Sequence, residues 1–227
     1  MANASESSMN SDNLNFYAEL IGKPLVSYLP GLGPIISSMA GDILAERKEK
    51  RIKEFLTSLD DALVKYADHV NENFVKQDDF YDILEQTLKK IVIERSTAKR
   101  AAYKNILLHG FISRDPSYDL IEYNLRLLDQ LSNEHLLMLK LFKCPQNFDG
   151  TDTYDFKGST LKRLFSTILP DWQYDVLYDV LFELENMRLI EKTSDNLMTM
   201  MSVVSYKNLD GRLTSKGMSF VQYILEQ

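Results

Sequence analysis

Glycine and proline are scarce. The 227 residues hold 9 glycines and 6 prolines, together about 7% of the chain, where an average protein has roughly 12%. That scarcity excludes a collagen-like chain, a flexible linker protein and an all-β protein built on tight turns. A single cysteine, Cys144, excludes an internal disulfide framework and fits a reducing compartment. There is no excess of positive charge: 26 basic residues face 33 acidic ones, net -7, which disfavours nonspecific binding to nucleic acid or anionic membrane. Residues 1–13 carry no basic residue and so lack the positive start of a secretory signal. They are expected to be a disordered N-terminus in the cytoplasm. Chemical motifs are missing too. There is no phosphate-binding loop, no C-x-x-C and no H-E-x-x-H, and Gly31-Leu32-Gly33 lacks the third glycine of a dinucleotide turn. His69, His109 and His135 are far apart in sequence. The chain is therefore expected to be no enzyme, with no catalytic residue, metal or cofactor.

What is present is helical periodicity. Residues 14–21 predict a short helix, interrupted by Gly22 and Pro24. From Pro34, tolerable at a first helical position, the pattern predicts one helix to about Phe74, with a break allowed near Gly41. Ile52, Phe55, Leu56, Leu59, Leu63, Tyr66 and Val70 share its apolar face. A second helix, capped by Gln77 or Asp78, should run to between Gly110 and Ser113, with Phe80, Ile83, Leu84, Leu88, Ile91, Ala98, Ala102 and Ile106 inward. Two such helices form an antiparallel hairpin that needs further helices to bury its faces. Residues 117–130 predict one of these. Ser132, three residues before His135, is the expected N-cap of the next helix, and the domain boundary is placed near 131.

The charge balance is uneven along the chain. Residues 1–114 carry 15 basic and 16 acidic residues, whereas 115–227 carry 11 and 17. After 132 the predicted order is helix, helix, helix, short strand, loop, short strand, helix. Leu189-Ile190-Glu191 and Arg212-Leu213-Thr214 are the expected strands of a wing, and 198–206 is a further expected strand. The ending LTSKGMSFVQYI is similar to the close of many bacterial winged-helix domains, and the resemblance covers about 95 residues. The third helix, 172–188, would be the one a DNA reader lays in the major groove. It carries Asp175, Asp179, Glu183 and Glu185 against Arg188 alone, and phosphate repels carboxylates. A protein-contact use is favoured over DNA reading, although a winged-helix transcriptional regulator is the rival expectation.

Residues 99–142, with Asn105, Ile106 and Leu107 before a polar turn and Gln130, Leu131, Ser132, Asn133 and Glu134 after it, resemble uncharacterised bacterial helical proteins of the abortive-infection alpha type. The family's usual His-Pro is replaced by Asp115-Pro116. The resemblance implies a setting in phage defence or stress.

Two features are candidate sites. The first is residues 24–41, eighteen residues without charge that hold three of the prolines and three of the glycines. Leu25, Val26, Tyr28, Leu29, Leu32, Ile35, Ile36 and Met39 could contact a membrane or a partner. Arg47, Lys48, Lys50, Arg51 and Lys53 follow closely, as anionic headgroups would require. The favoured alternative is a kinked helix start packed under the bundle. The second feature is a basic stripe of Lys90, Arg95, Lys99, Arg100 and Lys104, a site for an acidic partner, RNA or anionic lipid unless it is a solvated face with local ion pairs. The fold expected is mainly α: a disordered stretch at 1–13, a helical bundle at 14–131 built on the long hairpin, and a winged-helix-like domain at 132–227 with a small β wing. The function expected is that of a non-enzymatic interaction protein, cytoplasmic or peripheral to a membrane. It would bind a protein partner or itself and not nucleic acid.

Overall fold

The computed structural model of the chain describes residues 23–29, 31–39, 46–148, 159–198 and 209–225. The expected disordered start at 1–13, the helix at 14–21 and most of the strand at 198–206 lie outside the described residues. The fold is mainly α. Its residues fall into two units that part between Asp129 and Gln130.

In the first unit α1 (Lys23–Tyr28) and α2 (Leu32–Ser38) precede α3 (Glu46–Lys65). Then come α4 (Glu72–Val75), α5 (Asp78–Ile93), α6 (Thr97–Ile112) and α7 (Tyr118–Gln130). Helix α3 buries Ile52, Phe55, Leu56, Leu59 and Leu63 against α1, α5 and α6. An aromatic cluster closes the far end. Phe80 meets Phe74 and Phe111 edge-on, with centroids 5.7 and 5.1 Å away, and Tyr118 stacks on Phe74 at 4.1 Å.

Neither arm of the expected hairpin is continuous. The first stops at Lys65 and does not reach Phe74. Asn71 draws the chain out of the helix: its N–H donates to the Phe111 carbonyl (2.6 Å) and its side chain caps α4 by accepting from the Phe74 N–H. Asparagine favours such caps over helix interiors. The second arm breaks at residues 94–96. The Ser96 hydroxyl accepts the Lys99 N–H and starts α6 anew, while the Ser96 N–H donates to the Glu94 carboxylate (2.7 Å). The Arg100 guanidinium holds the opened Glu94 and Arg95 carbonyls, each at 3.1 Å.

The second unit contains α8 (Asn133–Lys143), α9 (Leu161–Ile168), α10 (Tyr174–Asn186) and α11 (Ser215–Ile224). Helix α8 packs on α10 and α11, and Phe142 meets Phe165 of α9 edge-on at 6.0 Å. Helix α10 ends in a Schellman close. The Leu189 N–H donates to the Leu184 carbonyl (2.9 Å) and the Arg188 N–H to that of Glu185 (2.8 Å). Arg188 adopts the left-handed conformation, φ 58°, that this close requires and that glycine usually supplies.

The expected β wing is not formed as strands among the described residues. Ile190 and Leu213 make a single antiparallel bridge, flanked by bonds from the Glu191 N–H to the Arg212 carbonyl and from the Thr214 N–H to that of Leu189. A 3-10 turn lies on each side, Ser194–Asn196 and Leu209–Arg212, so the pairing cannot lengthen into a ladder. The Glu185 carboxylate fixes the first turn, accepting from the Thr193 and Ser194 N–H groups and from the Ser194 hydroxyl (2.7 Å). Thr214 and Gly217 lock the base. The Thr214 hydroxyl donates to the Arg188 carbonyl (2.6 Å) and accepts the Gly217 N–H (2.9 Å). A Cβ on Gly217 would lie 1.8 Å from the Leu189 carbonyl oxygen.

Candidate functional site

The uncharged N-terminal segment is packed. Leu25, Leu29, Leu32, Ile36 and Met39 are buried and recur every three or four residues. Tyr28 and Ile35 are half-buried. The Val26 side chain lies outside the described residues. The Leu25 N–H donates to the Asp60 carboxylate of α3 (2.8 Å). The Gly31 N–H donates to the Tyr81 hydroxyl of α5 (3.3 Å), and a Cβ on Gly31 would press into that ring at 2.8 Å. Burial of each such apolar side chain is worth about 1.5–3 kcal/mol. In this state the segment offers little to a membrane or partner. No described helix is long and apolar enough to cross a membrane. Of the basic residues that follow the segment, Arg51 donates to the Val92 carbonyl (2.9 Å) and Lys50 lies 3.9 Å from Glu54.

The second basic stripe is divided by the break at 94–96, and most of its charges are engaged within their own unit. Lys90 pairs with Asp129. Lys99 lies 3.7 Å from Glu94 and Arg100 3.3 Å from Glu54. Lys104 is 8% exposed and lines, with Glu54, Ser58, Thr97 and Arg100, a recess of about 150 Å³. Arg95 is exposed. Asp129 also accepts the Tyr103 hydroxyl proton. Burial, then that bond, hold the phenol far above its ordinary pKa range.

Along α10 the described surface carries exposed rings beside exposed carboxylates. Leu177, Val180, Leu181 and Leu184 face inward. Tyr174, Tyr178 and Phe182, each four residues apart, form a second stripe. Tyr174 is 42% and Phe182 48% exposed, and the Tyr178 and Phe182 rings stack with centroids 6.2 Å apart, 9° from parallel. Asp175, Asp179 and Glu183 form a third stripe beside it, all exposed, with Val176 beyond them, 41% exposed. The Lys162 ammonium of α9 sits 4.4 Å from the Tyr174 ring centroid, within cation–π range. Tyr174 and Tyr178 read in the sequence as core or interface groups. Their four-residue spacing, out of phase with the buried leucines, was the available signal, and Phe182 was its third member.

Glu183 is held from below. The Ser132 N–H donates to Nδ1 of the buried His135 (3.1 Å), which leaves the imidazole proton on Nε2, 2.9 Å from the Glu183 carboxylate. His135 thus completes the cap of α8 and ties it to α10. The Ser132 hydroxyl and its own backbone N–H hold the neighbouring Glu134 carboxyl below its ordinary pKa. Past Phe182 the face runs into a groove of about 450 Å³ lined by Glu185, Arg188, Glu191, Lys192 and Asp195. Among the described residues no group of three or more His, Cys, Asp or Glu side chains is placed to hold a metal. Cys144 is half-buried and closes α8, its N–H donating to the Lys140 carbonyl.

Comparison of the chain with family models, with curated proteins and with solved structures finds no match in any of the three.

Proposed function

We propose that the chain is a non-enzymatic protein-interaction module whose second unit, a winged-helix-like arrangement with a single wing bridge among the described residues, contacts protein through α10. The observation that carries this reading is the stripe of exposed Tyr174 and Phe182 with half-buried Tyr178 between them, beside Asp175 and Asp179. A DNA reader would place lysine and arginine there to release counterions, whereas exposed aromatic residues are characteristic of protein contact surfaces. The test is recovery of proteins on the tagged full chain from cells that express it, against the double variant Tyr178→Ala/Phe182→Ala. A protein held by the native chain and lost by the variant is expected. Identical recoveries, or tight and salt-sensitive binding to random-sequence duplex DNA, would overturn the reading, the latter in favour of a regulator.

The resemblance to abortive-infection proteins supports a bacterial phage-defence or stress setting and a cytoplasmic location. In that setting the packed segment Leu25–Met39 acts by release toward a membrane surface or a partner. Liposome co-sedimentation of the chain with and without residues 1–45, under resting and activating conditions, tests this. Lipid binding that never depends on those residues would sink it.

A further inference from the structure

We infer that the occupant of the α10 face is a basic amphipathic helix of a partner protein. The inference rests on the reading of α10 as a protein-contact surface and adds the chemistry of what docks there. Three observations point to it. Tyr174 to Phe182 covers about 12 Å at 1.5 Å per residue, and its four-residue spacing offers a rail of rings that the apolar face of another helix can follow. The adjacent carboxylates of Asp175 and Asp179 make no ion pair among the described residues and lie between that rail and Val176, which is also exposed. A docked helix with lysine or arginine beside its apolar stripe would meet them at the rim of an apolar contact, where complementary charge selects partner and register. Finally, the rail already receives a cation: the Lys162 ammonium rests over Tyr174.

The same arrangement rejects the other occupants. A second copy using this face would set Asp175 and Asp179 against their own equivalents. Nucleic acid and anionic lipid would bring phosphate to carboxylate. Beyond Phe182 the groove is of mixed charge, with Arg188 and Lys192 among Glu191 and Asp195, so the acidic border is that of Asp175 and Asp179.

Trp172 is the chain's one tryptophan. It lies two residues before Tyr174 and is half-buried, so its emission reports on this face in the full chain. The probes are two synthetic 18-residue helices with the same leucine pattern, one with lysine and one with glutamate at the polar positions. The lysine helix is expected to change Trp172 emission saturably at one per chain, and the glutamate helix to have no effect. Binding should weaken at least tenfold in Asp175→Lys/Asp179→Lys and at least fivefold in Phe182→Ala. Asp175→Asn/Asp179→Asn should fall between, and far-UV circular dichroism of each variant should match the native chain. No saturable binding of the lysine helix, or binding that ignores both sets of variants, overturns the inference. Should the glutamate helix bind, or the chain associate with itself, in a way that depends on Phe182, the face is a protein contact with another occupant and only this inference fails. If neither helix nor self-association depends on Tyr178 and Phe182, the reading of the face as a contact surface fails with it.

Discussion

The two units carry nearly the same net charge and use it in opposite ways. Residues 1–129 hold 16 basic and 20 acidic side chains, residues 130–227 hold 10 and 13. The imbalance between sequence halves comes from residues 115–129, which belong to the first unit and bring four acids and one base. In the first unit charges are paired along and between helices, as with Lys90 and Asp129, Arg100 and Glu54, Lys89 and Glu85. In the second, Asp175 and Asp179 stand in line on one helix without an ion pair among the described residues, between an aromatic stripe and Val176. Pairing holds a bundle together, whereas a line of like charges weakens its own helix and is informative because it is kept despite that cost. Net charge alone would have hidden the difference.

Four measurements would sharpen or break this contrast. The largest effect is expected for Gly217→Ala. The new methyl would meet the Leu189 carbonyl at 1.8 Å, and backbone on both sides leaves no cheap way to move. A loss of about 3 kcal/mol or more should appear as lost amide dispersion confined to the second unit. Dispersion lost in both units alike would mean that they do not fold separately. Next is Asp129→Ala, which leaves the buried Tyr103 hydroxyl without its acceptor and Lys90 without its partner. Urea unfolding should show a loss of about 1–3 kcal/mol, with Asp129→Asn recovering most of it because an acceptor oxygen remains.

The third variant has the opposite sign. Asp179→Asn removes like-charge contacts with Asp175 and Glu183, four residues away on either side. Stability should rise by about 0.2–0.5 kcal/mol per pair, and by less in high salt. A loss there would mean that the ladder holds structure and that the contrast is mistaken. The smallest effect concerns Glu134 in the first turn of α8. Its folded pKa is depressed by the Ser132 hydroxyl and its own N–H, so its contribution is present above the unfolded carboxyl pKa and is lost as pH falls through the folded value. Glu134→Gln should therefore cost about 0.3–1 kcal/mol at pH 7 and progressively less as pH falls through the folded carboxyl pKa, read from urea midpoints at each pH.

The sequence made the mainly helical character legible because apolar residues recur at three and four, as they do from Ile52 to Leu63 and from Phe80 to Val92. It made the Ser132 cap of α8 legible because the cap is a local bond. It hid the break at 94–96, where no glycine or proline marks the chain and the new start depends on Ser96 and on Arg100 reaching back to two carbonyls. It suggested a long first helix because Tyr66 and Val70 continue the period. The competing bond from Asn71 to Phe111 joins residues forty apart and has no local signature. The pairing within the basic stripe was only partly legible, since Glu94 beside Lys99 is local. The stripe's spacing was computed along one unbroken helix, and the other acids that occupy it, Glu54 and Asp129, come from other elements. Tyrosine among leucines suits either a core or an interface, and only the phase of the buried residues separates the Tyr174 and Tyr178 stripe from the core.

The lock formed by Thr214 and Gly217 on Arg188 and Leu189 has a practical consequence. It joins the ends of the 24-residue connection 190–213 at their base, beside the bonds that Thr193 and Ser194 donate to Glu185. Ring closure depends only weakly on ring size, and doubling such a loop adds about 0.6 kcal/mol. A fluorophore or an affinity tag added between Met198 and Leu209 should therefore cost little in closure while the clasp at the end of α10 is kept. The clasp that fastens α11 to the end of α10 thus also provides a place to attach a handle and pull on the partner.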